Sequence, residues 1–117
     1  MSRRIASLLA VVILHALFAP LVLAAETVRV PAERVCMVQD RLFPTPQIPV
    51  ELEGKTYYGC CPMCAGQLRE DVSLRMATDP VTGQPVDKSS AITAANPDGS
   101  ILYFESEETF GQFVGGQ

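Results

Sequence analysis

Tryptophan is absent from this 117-residue chain, and its one histidine, His15, lies inside an apolar leader. Beyond that leader there is no imidazole. That excludes histidine acid–base chemistry, Cys–His nucleophilic pairs and histidine metal ligation. Positive charge is also scarce, with nine Lys and Arg against thirteen Asp and Glu. Without Arg3 and Arg4 of the leader the balance is −6 (7 − 13). No basic cluster relieves it, and an acidic chain of this kind repels phosphate backbones, which argues against a nucleic-acid partner. Sulfur and oxygen are left to carry any chemistry.

One long apolar run is present. Met1–Ala25 reads MSRRIASLLAVVILHALFAPLVLAA: two arginines, an apolar stretch broken by Pro20, then small residues. This is the order of a secretory signal peptide. The run is nearly long enough for an uncleaved anchor, but His15, Pro20 and the small-residue end favour cleavage after Ala24 or Ala25. The expected product is exported, periplasmic or extracellular, with no stable membrane insertion. Its roughly ninety residues suffice for one small domain with a thin core.

Within it, "IPVELEGKTYYG" predicts two short strands turning at Glu53-Gly54. Of the adjacent Tyr57 and Tyr58, strand alternation sends one to the core and leaves the other half exposed. Pro62 suits the first position of a helix capped by Cys61, predicted to run through "AGQLREDVSLRM" with Leu68, Val72 and Met76 on one face. Further on, "NPDG" marks a turn between two strand-like runs, and "SEETFGQFV" begins like a helix capped by Ser106. A shift of forty-five residues lays Gly54 on Gly99, Tyr58 on Tyr103, Gly66 on Gly111 and Gln67 on Gln112. The expected architecture is α+β, two related ββα units packed as one compact domain. The second copy carries no cysteine: Cys60 falls on Glu105, Cys64 on Thr109, and Cys36 near Val81 or Thr82.

The four cysteines are Cys36 and the cluster Cys60, Cys61 and Cys64 in "KTYYGCCPMC". An exported chain with an even number of thiols admits a disulfide framework. The adjacency of Cys60 and Cys61 strains it, although Cys60–Cys64 or Cys61–Cys64 bridges are geometrically open. Cys61-Pro62-Met63-Cys64 also has the C-P-x-C form of a thiol oxidoreductase, but such a role leaves Cys36 idle and lacks a helix before the hairpin. A metal site uses Cys36 as well, because a knuckle, a hairpin and a helix start can converge on one ion. Met37 and Met63 flank the cysteines, either as auxiliary thioether ligands for a soft ion or as core filler. Asp40 reads as a solvated loop charge.

The spacing Cys36, twenty-three residues, Cys60, three residues, Cys64 resembles the cysteine pattern of the TRASH domain. The second half, "DPVTGQPVD…LYFESEETFGQF", resembles the related YHS domain. The resemblance implies a treble-clef-like TRASH unit over residues 26–78 and a YHS-like unit over residues 79–117. It implies metal ligands at Cys36, Cys60 and Cys64, with Cys61 an extra thiol that can help or stand in for Cys60. Thr82, Glu105 and Thr109 occupy the ligand positions of the second half, leaving it no thiolate site. The implied function is non-enzymatic handling of a heavy metal in trafficking or resistance; thiolates with no histidine suit copper(I) foremost and zinc next. A metal transporter or metalloprotein client is the implied partner. A structural zinc or disulfide module is the rival.

Overall fold

The computed structural model describes residues 26–117; the signal-peptide expectation for Met1–Ala25 lies outside them. Among the described residues no helix is long and apolar enough to cross a membrane.

Strand β1 (Val28–Arg29) is the first element of the described residues, and a 3-10 turn leads into β2 (Val35–Cys36). A tight knuckle returns as β3 (Arg41–Leu42), with Val35 opposite Leu42 and Cys36 opposite Arg41. The expected hairpin follows as β4 (Ile48–Leu52) and β5 (Lys55–Gly59). Its turn residues Glu53 and Gly54 both have positive φ, 53° and 79°, the conformation that matches strand twist in two-residue turns. Alternation then buries Val50 and Tyr57 and leaves Tyr58 only partly covered, as the tyrosine pair predicts.

Helix α1 (Pro62–Glu70) starts where Pro62 sets it, but it is shorter than the sequence pattern suggests. Asp71 accepts hydrogen bonds from the Ser73 N–H at 2.9 Å and the Ser73 hydroxyl at 2.6 Å, so it starts a separate 3-10 turn. Local Asx bonding of this kind competes with helix continuation. Arg75 folds back and donates to the Leu68 carbonyl at 2.7 Å, closing the helix end. The predicted Leu68–Val72–Met76 stripe therefore does not form. Leu68 is fully buried, Val72 is 62% exposed, and Leu74 and Ala77 pack on the core instead.

The pair β6 (Met76–Thr78) and β7 (Pro85–Asp87) spans the boundary between the two units. Strands β8 (Ile92–Ala95) and β9 (Ile101–Phe104) then flank the NPDG turn, with β8 central between β1 and β9. Helix α2 (Glu107–Gly115) is capped by the Ser106 side chain, which accepts from the Thr109 N–H. Helices α1 and α2 are both nine residues long and start forty-five positions apart (107 − 62), the offset predicted for two ββα units.

One core joins the units. Val35, Met37, Val50, Tyr57, Ala65 and Leu68 share a cluster with Ala95, Ile101 and Tyr103. Phe104 packs separately against Phe110 and Phe113, with ring centroids at 5.4 and 5.3 Å. A chain ending at Ala77 loses the second unit's share of the core and falls to a size that rarely folds alone. Such a fragment is expected to show no cooperative thermal transition in metal-free buffer; a sharp melt would refute a shared core.

Candidate metal centre

The three sulfurs come from three elements. Cys36 ends β2 at the mouth of the knuckle, Cys60 follows β5, and Cys64 lies in the first turn of α1. Antiparallel pairing brings the end of β5 back beside the knuckle, where the Met37 N–H donates to the Tyr58 carbonyl at 2.8 Å. The helix then turns its first residues onto the same spot. Cys36, Cys60 and Cys64 accordingly converge, their Sγ atoms all within 4.8 Å of one another, and Cys60 and Cys64 are 3.5 Å apart. An ion bonded to sulfur at ~2.3 Å holds such atoms about 3.8–4.0 Å apart, so the set fits a metal with small adjustments. The cluster can hold a metal ion.

Cys61 has a different position. Its sulfur caps α1, accepting from the Cys64 N–H at 3.4 Å, and it is not one of the convergent three. The C-P-M-C segment is therefore arranged as a helix cap, while the close sulfur pair is Cys60 and Cys64. All four cysteines are free thiols. Met37 lies fully inside the hydrophobic core and Met63 is 73% exposed, so the core-filling alternative fits Met37 alone.

Burial disfavours a thiolate, and N–H groups aimed at the sulfur favour one. Cys36 is desolvated, yet the backbone N–H groups of Gln39, Val38 and Cys60 more than compensate and lower its pKa. Desolvation raises Cys60, reinforced by sharing with Cys36. Cys64 is pushed up to about 12 by burial first, then by hydrogen bonding to Cys60 and Cys61 and the nearby charge of Cys36. The helix terminus favours the thiolate of Cys61, which the Cys64 N–H lowers, and not that of Cys64, although Cys64 lies in the first turn. Gln39 supplies a further contact, its amide donating to Cys60 Sγ at 3.5 Å.

Gly59 is a residue whose role the sequence pattern does not announce. A Cβ there would stand 3.0 Å from the Ala65 nitrogen and 3.2 Å from the Cys64 carbonyl carbon and Cβ. These are helix atoms with no freedom to yield, so the missing side chain lets α1 sit against β5 and carry Cys64 to its partners. Gly59→Ala is expected to destabilise the fold by about 1–3 kcal/mol in urea melts, through displacement of α1.

In the second unit, Thr82, Glu105 and Thr109 also come together, around a carboxylate. Asp79 is fully buried. Its Oδ1 accepts from the Val81 and Thr82 N–H groups at 2.7 and 3.3 Å, and its Oδ2 from the Glu105 N–H and Thr109 hydroxyl, at 2.8 and 2.7 Å. Four donors saturate the carboxylate and leave no lone pair facing a cation. Where the first unit gathers three thiols, the second is closed by a buried anion.

Asp40 is not a solvated loop charge. Its side chain, partly covered, accepts from Lys88 at 2.8 Å and from the Tyr103 hydroxyl at 2.7 Å.

No protein-family model, no curated protein and no solved structure matches this chain.

Proposed function

We propose that this protein binds a single soft metal ion, copper(I), through Cys36, Cys60 and Cys64, and serves metal handling outside the cytoplasm. The observation that carries this is the convergence of three sulfurs from a knuckle, a strand end and a helix start, with all three Sγ atoms within 4.8 Å. Thiolates select soft ions, and three sulfurs without an imidazole or carboxylate suit copper(I) better than harder divalent ions. Cys36 and Cys64 are buried while Cys60 and Cys61 remain partly open to solvent, an arrangement that supports exchange of an ion. The resemblance of the cysteine spacing to that of TRASH domains, and the leader expected to export the chain, support the same role. Export also bears on the thiols themselves: in an oxidising compartment a reduced cluster persists best when a metal holds it.

The test is a competition titration of reduced protein, prepared anaerobically, against a copper(I) chelator, with a parallel zinc titration. One equivalent of copper(I) taken from the chelator, and zinc displaced by copper(I), is the expected result. Tight zinc binding that copper(I) cannot displace would assign a structural zinc site instead. Failure to retain either ion would remove metal handling.

A further inference from the structure

The knuckle that carries Cys36 is held from two sides. Its contacts with the first unit gather beside the thiols: the Met37 N–H on the Tyr58 carbonyl, the Cys60 N–H at the Cys36 sulfur, and the Gln39 amide on Cys60 Sγ. From the second it receives several. The Ile101 N–H donates to the Asp40 carbonyl at 2.9 Å, and the Leu42 N–H donates to the Gly99 carbonyl at 2.9 Å. At the centre of this contact lies Lys88, 4% exposed. Its ammonium donates to the Met37 carbonyl at 2.7 Å and to Asp40 Oδ1 at 2.8 Å, and it sits 5.0 Å from the centroid of the Tyr103 ring. Tyr103 donates its hydroxyl to the same Asp40 oxygen. Asp40 has a positive φ of 51°, the left-handed turn conformation that aspartate tolerates better than most non-glycine residues.

A lysine is almost never buried without partners, because desolvating the ammonium is costly. Here the first residue after Cys36 accepts its hydrogen bond, and the other end of the knuckle supplies its counter-ion. Lys88 thus ties the two ends of the turn, Met37 and Asp40, to each other and to the second unit.

We propose that Lys88 is the positioning residue that makes Cys36 the third ligand, so that the cysteine-free unit sets the coordination number of the metal. This rests on the copper(I) reading of the thiol cluster. Cys60 and Cys64 are placed by their own hairpin and helix and need no help from Lys88. Cys36 is the ligand that depends on the knuckle. With Lys88 intact, copper(I) is held by three sulfurs; with the clamp removed, the ion stays on the local thiols with two.

The test uses the full exported chain, reduced, with copper(I) itself as the probe. Lys88→Met keeps the length of the stem and removes the donors. X-ray absorption should change from three sulfur neighbours to two, and copper(I) affinity should fall about 100-fold, the upper range for supporting residues around a metal and the loss expected of Cys36→Ser. Cys36→Ser alone should give the same two-sulfur signature. Lys88→Met added to Cys36→Ser should then lower affinity no further, because the lysine acts only through that thiol. Three sulfurs and unchanged affinity in Lys88→Met would overturn the proposal, as would a loss that adds fully to that of Cys36→Ser. If Lys88→Met does not fold, Tyr103→Phe decides. Loss of its hydroxyl on Asp40 should weaken copper(I) several-fold in the parent and not at all in Cys36→Ser; an equal loss in both would overturn the proposal. Wild-type protein that takes up no copper(I) refutes the metal reading, whereas wild-type binding with an indifferent Lys88 refutes only the clamp.

Discussion

Serine at Cys36, Cys60 or Cys64 is expected to weaken copper(I) binding by about 100-fold each, and serine at Cys61 by less than about tenfold. The size follows from ligand chemistry. Structural zinc sites with four ligands gain roughly 10–16 kcal/mol, or ~3 kcal/mol per ligand, and 1.4 kcal/mol is a factor of ten. Serine keeps the volume of cysteine but replaces a soft thiolate with a neutral, hard hydroxyl that a soft ion does not prefer. The ranking follows from geometry. Cys36, Cys60 and Cys64 form the convergent set, while the Cys61 sulfur accepts the Cys64 N–H at the helix cap. The hydroxyl of Cys61→Ser can accept that same bond, since serine is among the preferred N-cap residues, so Cys64 should stay in place. The measurement is the chelator competition applied to the four single variants. If only Cys61→Ser and Cys64→Ser fail, the chemistry belongs to the C-P-M-C segment. If all four match wild type, the cluster is not a copper site.

Much of this arrangement was legible in the residues. Pro62 and Cys61 placed the start of α1, Glu53-Gly54 placed the hairpin turn, and the forty-five-residue shift paired the two helices. These signals are local: a fixed φ, a turn dipeptide, a capping side chain. The helix end was not legible, because Asp71 can continue a helix or start an Asx turn, and Arg75, well beyond the helix, helps decide between them. Composition could suggest that thiols gather, and the spacing resemblance implied Cys36, Cys60 and Cys64, the three that converge; the packing that brings them together was not legible. That depends on Gly59, which lets the helix approach the strand, and on which sulfur the cap uses. The long-range polar partners were invisible for the same reason. Asp40 and Lys88 are forty-eight positions apart, and Asp79 and Thr109 thirty. Charged residues in loop-like stretches read as solvated until the fold supplies their partners.

Those buried partners lead to the second large effect, expected far from any thiol. Asp79→Ala should lower the stability of the protein by about 3 kcal/mol or more at neutral pH, because each buried donor left without an acceptor costs roughly 1–3 kcal/mol. That is a large share of the 5–15 kcal/mol typical of folded domains. Asp79→Asn should recover little. Oδ1 faces two N–H groups and Oδ2 faces the Glu105 N–H, so either amide orientation sets an NH2 against a backbone donor. The pH dependence carries the sign of a charge, and it separates electrostatics from shape. Burial alone would raise the Asp79 pKa, but the Glu105 N–H, the Thr109 hydroxyl and the Val81 and Thr82 N–H groups outweigh it and lower the value. A carboxyl depressed in the folded state contributes stability that is complete above the ordinary aspartate range near ~4 and is lost as pH falls through the folded value. The gap between wild type and Asp79→Ala should therefore be widest near pH 7 and narrow progressively below about pH 4. Asp87 is depressed too: the Lys55 ammonium, Ser89 and the Tyr57 hydroxyl outweigh its burial. It is present in both proteins, so its acid slope cancels from the difference. Urea melts of both proteins across this range measure the gap directly. A gap that stays constant down to the acid transition would mean that the side chain fills space and its charge does nothing. No gap at all would mean that the second unit is not held closed by this carboxylate.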